Sequence, residues 1–188
     1  MKKYLIFIAI CVTTINHSSA QQWDLLQFKK LIEYESQRYL MEDVFEVSNT
    51  NFDKLRLEKL ITDYDGADGG FLFVLSAYEY NGQHGVVITS FIPTLSNTKF
   101  FNTHLPDSQF QEVLALMKSG HQTRENKGIH LIRRINSSLV IEVNKGQYDD
   151  YYNSSPKDEF VFWIFGTARH NLSLNKFEKM VKEYEAFK

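Results

Sequence analysis

The chain contains a single cysteine, Cys11, set in an apolar run from Tyr4 to Ile15 that follows Lys2 and Lys3 and leads into Ser18-Ser19-Ala20. Two cations, a short apolar stretch and small residues before Gln21 form the layout of a secretory signal peptide cleaved after Ala20. The run falls short of the ~20 residues that span a bilayer core, so a retained membrane anchor is the lesser expectation. Cleavage removes the cysteine. The mature chain, residues 21–188, is therefore expected in the periplasm or outside the cell, with a fold that no disulfide can staple. Its stability must come from buried apolar surface, and a chain of this size can bury about two thirds of what it exposes when unfolded. Apolar residues make up 43% and aromatic residues 14% of the sequence, which suits a packed core rather than a disordered chain. Loss of Lys2 and Lys3 leaves 19 basic against 23 acidic residues, a balance that disfavours nucleic acid as a partner.

Apolar periodicity divides the mature chain into helical and extended segments. Trp23, Leu26, Leu31, Ile32, Tyr39 and Leu40 recur at helical spacing and predict a helix over 22–42. Phe52, Leu55, Leu60, Ile61 and Tyr64 fit a second helix over 51–64, the preferred reading, although Leu55 and Leu57 also alternate. FLFVLSAYEY and GVVITSF, joined at Asn81-Gly82, read as a hairpin over 71–91, and KFFNTHL as a strand near 99–105. Ser108 and Gln111 have capping-box spacing, and Gly120 marks the end of the helix they open. IHLIRRI and LVIEV read as strands about Asn136-Ser137, and FVFWIF as a strand buried on both faces. Ser173 caps a final helix, with Leu172 and Phe177 at its staple positions. The expected fold is a single α+β, two-layer domain, mainly antiparallel, with a helical part over 21–64 and a sheet carrying two helices on one face over 70–188. Leucine and phenylalanine stand five apart at both strand-to-helix junctions, Leu105/Phe110 and Leu172/Phe177, a spacing that a duplicated unit or a shared packing requirement would produce.

DYDGADGG, residues 63–70, resembles a cation loop. An EF-hand register needs oxygen ligands at positions 1, 3 and 5, glycine at 6 and glutamate at 12. Counting from Asp63 puts Ala67 at position 5 and Val74 at 12; counting from Asp65 puts Ala67 at position 3 and Ser76 at 12. Both registers fail, so the segment is read as a turn, with Asp63, Asp65 and Asp68 kept only as weak cation candidates. The long polar segment 144–159 gathers Tyr148, Asp149, Asp150, Tyr151 and Tyr152, and tyrosine brings contact area and a polar tip to an interface. That cluster is the leading candidate surface. Arg124, Lys127 and Arg134 form a weaker anion patch, because strand alternation sends Arg133 and Arg134 to opposite faces.

Catalytic patterns are absent: after cleavage there is no cysteine nucleophile, no G-x-S-x-G and no H-E-x-x-H, and no cofactor motif is present. The expected function is an exported, non-catalytic module that binds a protein or peptide. One alternative is a small hydrolase assembled from His104, Asp107 and His170, since triads are defined by geometry rather than order. Another is an inhibitor of a toxic enzyme that presents Asp149, Asp150 and Glu159 to a basic site.

Overall fold

A computed structural model describes residues 25–47, 52–65, 71–93, 98–122, 128–145, 158–164 and 168–188. The leader expected over residues 1–20 lies outside them. Contacts divide the chain into two units, Met1–Tyr34 and Glu35–Lys188. In the first, the described residues belong to helix α1 (Leu25–Arg38), which runs on into the second and ends in a π-helical turn, Tyr39–Val44. The wider turn is visible in Phe45, whose N–H donates to Leu40 O at 2.9 Å, five residues back. No described helix is long and apolar enough to cross a membrane.

The second unit is α+β and holds two four-stranded antiparallel sheets, each ordered as its strands occur in the chain. The first consists of β1 (Leu55–Asp65), β2 (Phe71–Tyr80), β3 (Gln83–Pro93) and β4 (Thr98–Pro106), followed by helix α2 (Asp107–Gln122). The second consists of β5 (Gly128–Arg134), β6 (Leu139–Lys145), β7 (Asp158–Ile164) and β8 (Ala168–Ser173), followed by α3 (Leu174–Phe187). Each half is thus a meander that ends in a helix. Helix α2 packs against β3 and β4 of its own sheet and also β5 and β6, while α3 packs against β7, β8 and β1.

Short-range chemistry explains most of these elements. The β2–β3 turn places Asn81 at φ 49° and Gly82 at φ 77°, the paired left-handed conformation of a tight hairpin. At the β5–β6 turn Asn136 Oδ1 accepts from the Ser138 and Leu139 amides, both at 2.8 Å. Ser173 caps α3, accepting from the Lys176 amide at 3.4 Å. Strand alternation then sorts the core: Phe160, Phe162 and Ile164 of β7 join Phe73 and Leu75 of β2 and Phe110 of α2 in one cluster. Val161 points the other way and is fully buried as well, as the apolar run suggests.

Four sequence expectations are corrected. Residues 55–65 form strand β1, not a helix, and its register with β2 breaks between Lys59 and Ile61. Leu55 and Leu57 face the same side as Tyr80 and Tyr78, whereas Ile61 beyond the bulge faces the side of Leu75, so one strand reads with helix-like spacing. Helix α2 begins at Asp107, leaving Ser108 inside it, and Gln111 bonds Asp107 and Glu185 instead of closing a capping box. It also continues past Gly120, where an added Cβ would sit 3.3 Å from Leu131 Cβ; the glycine allows helix and sheet to approach closely and does not end the helix. Nor do the helices keep to one face: Leu40 and Met41 pack with Leu55, Tyr78 and Val87 on the side of the first sheet opposite the main core.

Gly85 gives this arrangement a direct test. An added Cβ would lie 2.6 Å from the Tyr78 hydroxyl and collide with the Leu105 carbonyl, so Gly85→Ala has no flexible neighbour on the backbone side to displace. Urea unfolding of this variant is expected to show a loss of about 1–3 kcal/mol; an unchanged midpoint would mean that the ring of Tyr78 does not cover Gly85.

Candidate functional site

The two larger of the concave surfaces among the described residues of the second unit both follow from where α2 sits. The α2 start is anchored on α3. Tyr184 donates to Asp107 Oδ1 at 2.8 Å, Gln111 Nε2 donates to Glu185 at 2.8 Å, and Lys188 Nζ stands 3.4 Å from Asp107. Burial alone pushes the Asp107 carboxyl up, but the bonds from Tyr184 and Gln111 and the Lys188 charge together hold it below its ordinary value. Burial also pushes the Tyr184 hydroxyl well above its ordinary range, aided by its bond to the carboxylate. The start of one helix and the end of the other are therefore pinned together, while farther along they separate.

That separation forms the first surface, a groove of about 480 Å³. Leu114, Phe177 and Phe160 make its floor and are buried; Ala115 on α2 is exposed, and Val181 on α3 is half-buried. The ring of Phe177 stacks on Phe160 at 4.1 Å, and His121 stacks on Phe160 at 5.4 Å. The rim carries Lys118 and Lys182, one on each helix, with Glu178 as its carboxylate. The apolar floor and polar rim follow from two amphipathic helices set side by side on a sheet.

The second surface is a polar cleft of about 670 Å³ at the β4–α2 junction, lined by Phe45, Tyr78, Gln83, His84, His104, Asp107 and Ser108 among others. Its imidazoles are those of His84 and His104. His104 is half-buried, its ring 6.3 Å from that of Tyr39, and burial lowers its pKa so that the neutral form is favoured. His84 Nδ1 is buried and bonds to no group among the described residues. Burial and the nearby Asp107 charge push the Tyr78 hydroxyl up to about 12. Side chains of His104 and Ser108 form no hydrogen bond with each other or with Asp107 among the described residues.

The structure does not bring His104 and His170 together. His104 pairs with Val87 on the outer face of the first sheet, whereas His170 is buried and stacks on Phe73 at 4.2 Å in the core. The two junctions explain why. When Leu105 is matched to Leu172 and Phe110 to Phe177, His170 corresponds to Thr103, a buried residue facing the core, and His104 to Asn171. One residue of offset along a strand reverses the face.

Of the other candidates, Tyr148, Asp149, Asp150, Tyr151 and Tyr152 lie outside the described residues, as do Asp68, Arg124 and Lys127. Asp63 and Asp65 are in β1, paired with Phe73 and Phe71. Glu159 is in β7, paired with Ser173. Arg134 donates to the carbonyls of Asn136 and Ser137 in its own turn, at 3.2 and 3.5 Å. Among the described residues, no three histidine or acidic side chains are grouped to hold a metal ion.

The shifts in the cleft predict how stability responds to acid. The unfolded chain protonates His104 more readily than the fold does, so stability should fall as pH drops below 6.5, and His104→Gln should shrink that loss. Asp107 contributes stability above 3.8 that is lost as pH falls further, and Asp107→Asn should remove this second decline. Urea midpoints measured from pH 8 to pH 3 test both, and a flat profile over the upper range contradicts the burial of His104. No protein-family model matches the chain, and neither a curated protein nor a solved structure matches it.

Proposed function

We propose that the chain is an exported, non-catalytic interaction module that binds a protein or peptide. The observation that carries this reading is the groove between α2 and α3, with the buried rings of Phe160 and Phe177 beneath it and lysines on both walls. An apolar floor inside a polar rim matches the anatomy of protein-recognition surfaces, where a few buried apolar contacts supply most of the binding energy. Export rests on the leader-like residues 1–20 and on a mature sequence free of cysteine. The tyrosines at 148, 151 and 152 remain a second candidate surface of the same module.

The hydrolase reading has less support. His104 lies on the outer face of the first sheet while His170, on β8 of the second, stacks on Phe73 in the core, and the Asp107 carboxylate is occupied by Tyr184, Gln111 and Lys188. A catalytic carboxylate orients a histidine, and this one holds a helix end instead.

Peptide display separates the possibilities. A random library is selected against the mature chain, against Ala115→Trp, which fills the groove from an exposed position, and against Tyr148→Ala/Tyr151→Ala/Tyr152→Ala. Peptides retained by the native chain and lost by Ala115→Trp at an unchanged melting temperature are the expected result. Peptides lost only by the tyrosine variant move the surface to that segment. Failure to enrich any peptide removes the module reading.

A further inference from the structure

We propose that the groove between α2 and α3 takes an acidic amphipathic segment of a partner protein, with apolar side chains on the Phe160–Phe177 floor and carboxylates between Lys118 and Lys182. This rests on the module reading above and specifies the chemistry of its partner. The two lysines are exposed, stand on opposite walls and form no ion pair among the described residues. Lys179 pairs with Glu183 at 3.5 Å, and Lys188 with Asp107 and Glu185. Of the helix lysines that form no ion pair among the described residues, Lys118 and Lys182 flank the apolar floor and Lys176 lies outside the groove.

Glu178, the one carboxylate on the rim, lies within reach of neither lysine at ion-pair distance. A carboxylate brought in by the partner therefore meets two unmatched cations, whereas a basic partner meets one unmatched anion and two like charges. Like-charge contacts select against wrong partners more strongly than opposite charges reward right ones, so this asymmetry sets specificity. The volume, about 480 Å³, falls in the range that encloses a small ligand or a few side chains rather than a whole helix bundle. Apolar residues at i, i+3, i+4 and i+7 place such a set on one face of a partner helix.

Fluorescence anisotropy with three labelled synthetic peptides tests this. One carries leucine at i, i+3, i+4 and i+7 with glutamate between, the second has lysine for every glutamate, and the third keeps the glutamates but has serine for leucine. The first should bind and the other two should not. Its affinity should fall with added salt and drop about tenfold in Lys118→Glu/Lys182→Glu, the fold-change expected of two reversed rim charges. Ala115→Trp should abolish binding while leaving the melting temperature in place. Equal binding of the lysine peptide, or binding of the first peptide that neither variant changes, overturns the proposal. Displacement of the peptide by dodecanoate together with direct dodecanoate binding that both variants abolish assigns the groove to a lipid and likewise overturns it. If the display selection enriches groove-dependent peptides that are not acidic, this inference fails and the module reading survives; if it enriches none, both fail.

Discussion

Phe73 is where the two halves of the fold meet. Its ring, on β2 of the first sheet, stacks 4.2 Å from His170 on β8 and 6.0 Å from Phe162 on β7 of the second. A four-stranded antiparallel meander has one face to cover and lacks the apolar mass to cover it alone. Here each meander supplies part of the cover for the other, and the two helices complete it. Core continuity across the sheets is reinforced by polar contacts at its margin, where Asn136 donates to Thr103 at 3.2 Å and Ser90 approaches His170 at 3.5 Å. With no cysteine in residues 21–188, this shared burial is the main source of cohesion, and the packing of rings such as Phe110 against Tyr184 at 4.8 Å is part of it.

Elements specified by local chemistry were legible in the sequence. Asn81-Gly82, Asn136-Ser137 and Ser173 each fix a turn or a helix start through their own side chain or backbone preference, and the structure uses all three as read. What failed was set at a distance. The β1 bulge moves the apolar face by one residue in mid-strand, and only pairing with β2 shows on which side Leu60 and Ile61 fall. Gly120 has the local signature of a helix end, yet its role is decided by Leu131 and Val143, which belong to the other sheet. The resemblance of the two strand-to-helix junctions was legible from Leu105/Phe110 and Leu172/Phe177, and so was the one-residue offset of the histidines, but the opposite faces it gives them become plain only when the pairing register is known.

The groove was not legible, although every residue that makes it was. Leu114 and Lys118 stand four apart on α2, as do Glu178 and Lys182 on α3, and each helix alone reads as an ordinary amphipathic segment. A groove is a property of the spacing between two helices. That spacing is set by Tyr184, Gln111 and Lys188 at one end and by the bulk of Phe160 underneath, through contacts of 74 to 81 residues in sequence separation for the polar pairs. Conversely, of the segment most conspicuous in the sequence, the aspartate and glycine run from Asp63, the described residues 63–65 are the end of strand β1.

Helix α2 rests partly on the second sheet and α3 partly on the first, so each half holds an element that completes the other. In evolutionary terms, such a crossing makes the halves interdependent: a change in the floor beneath α2 at Val143 is felt by a helix encoded in the opposite half. In terms of assembly, it creates an ambiguity, because a neighbouring copy presents the same complementary surface. Within one chain the two halves are tethered, and the high local concentration this gives favours pairing with its own partner half over that of a neighbour.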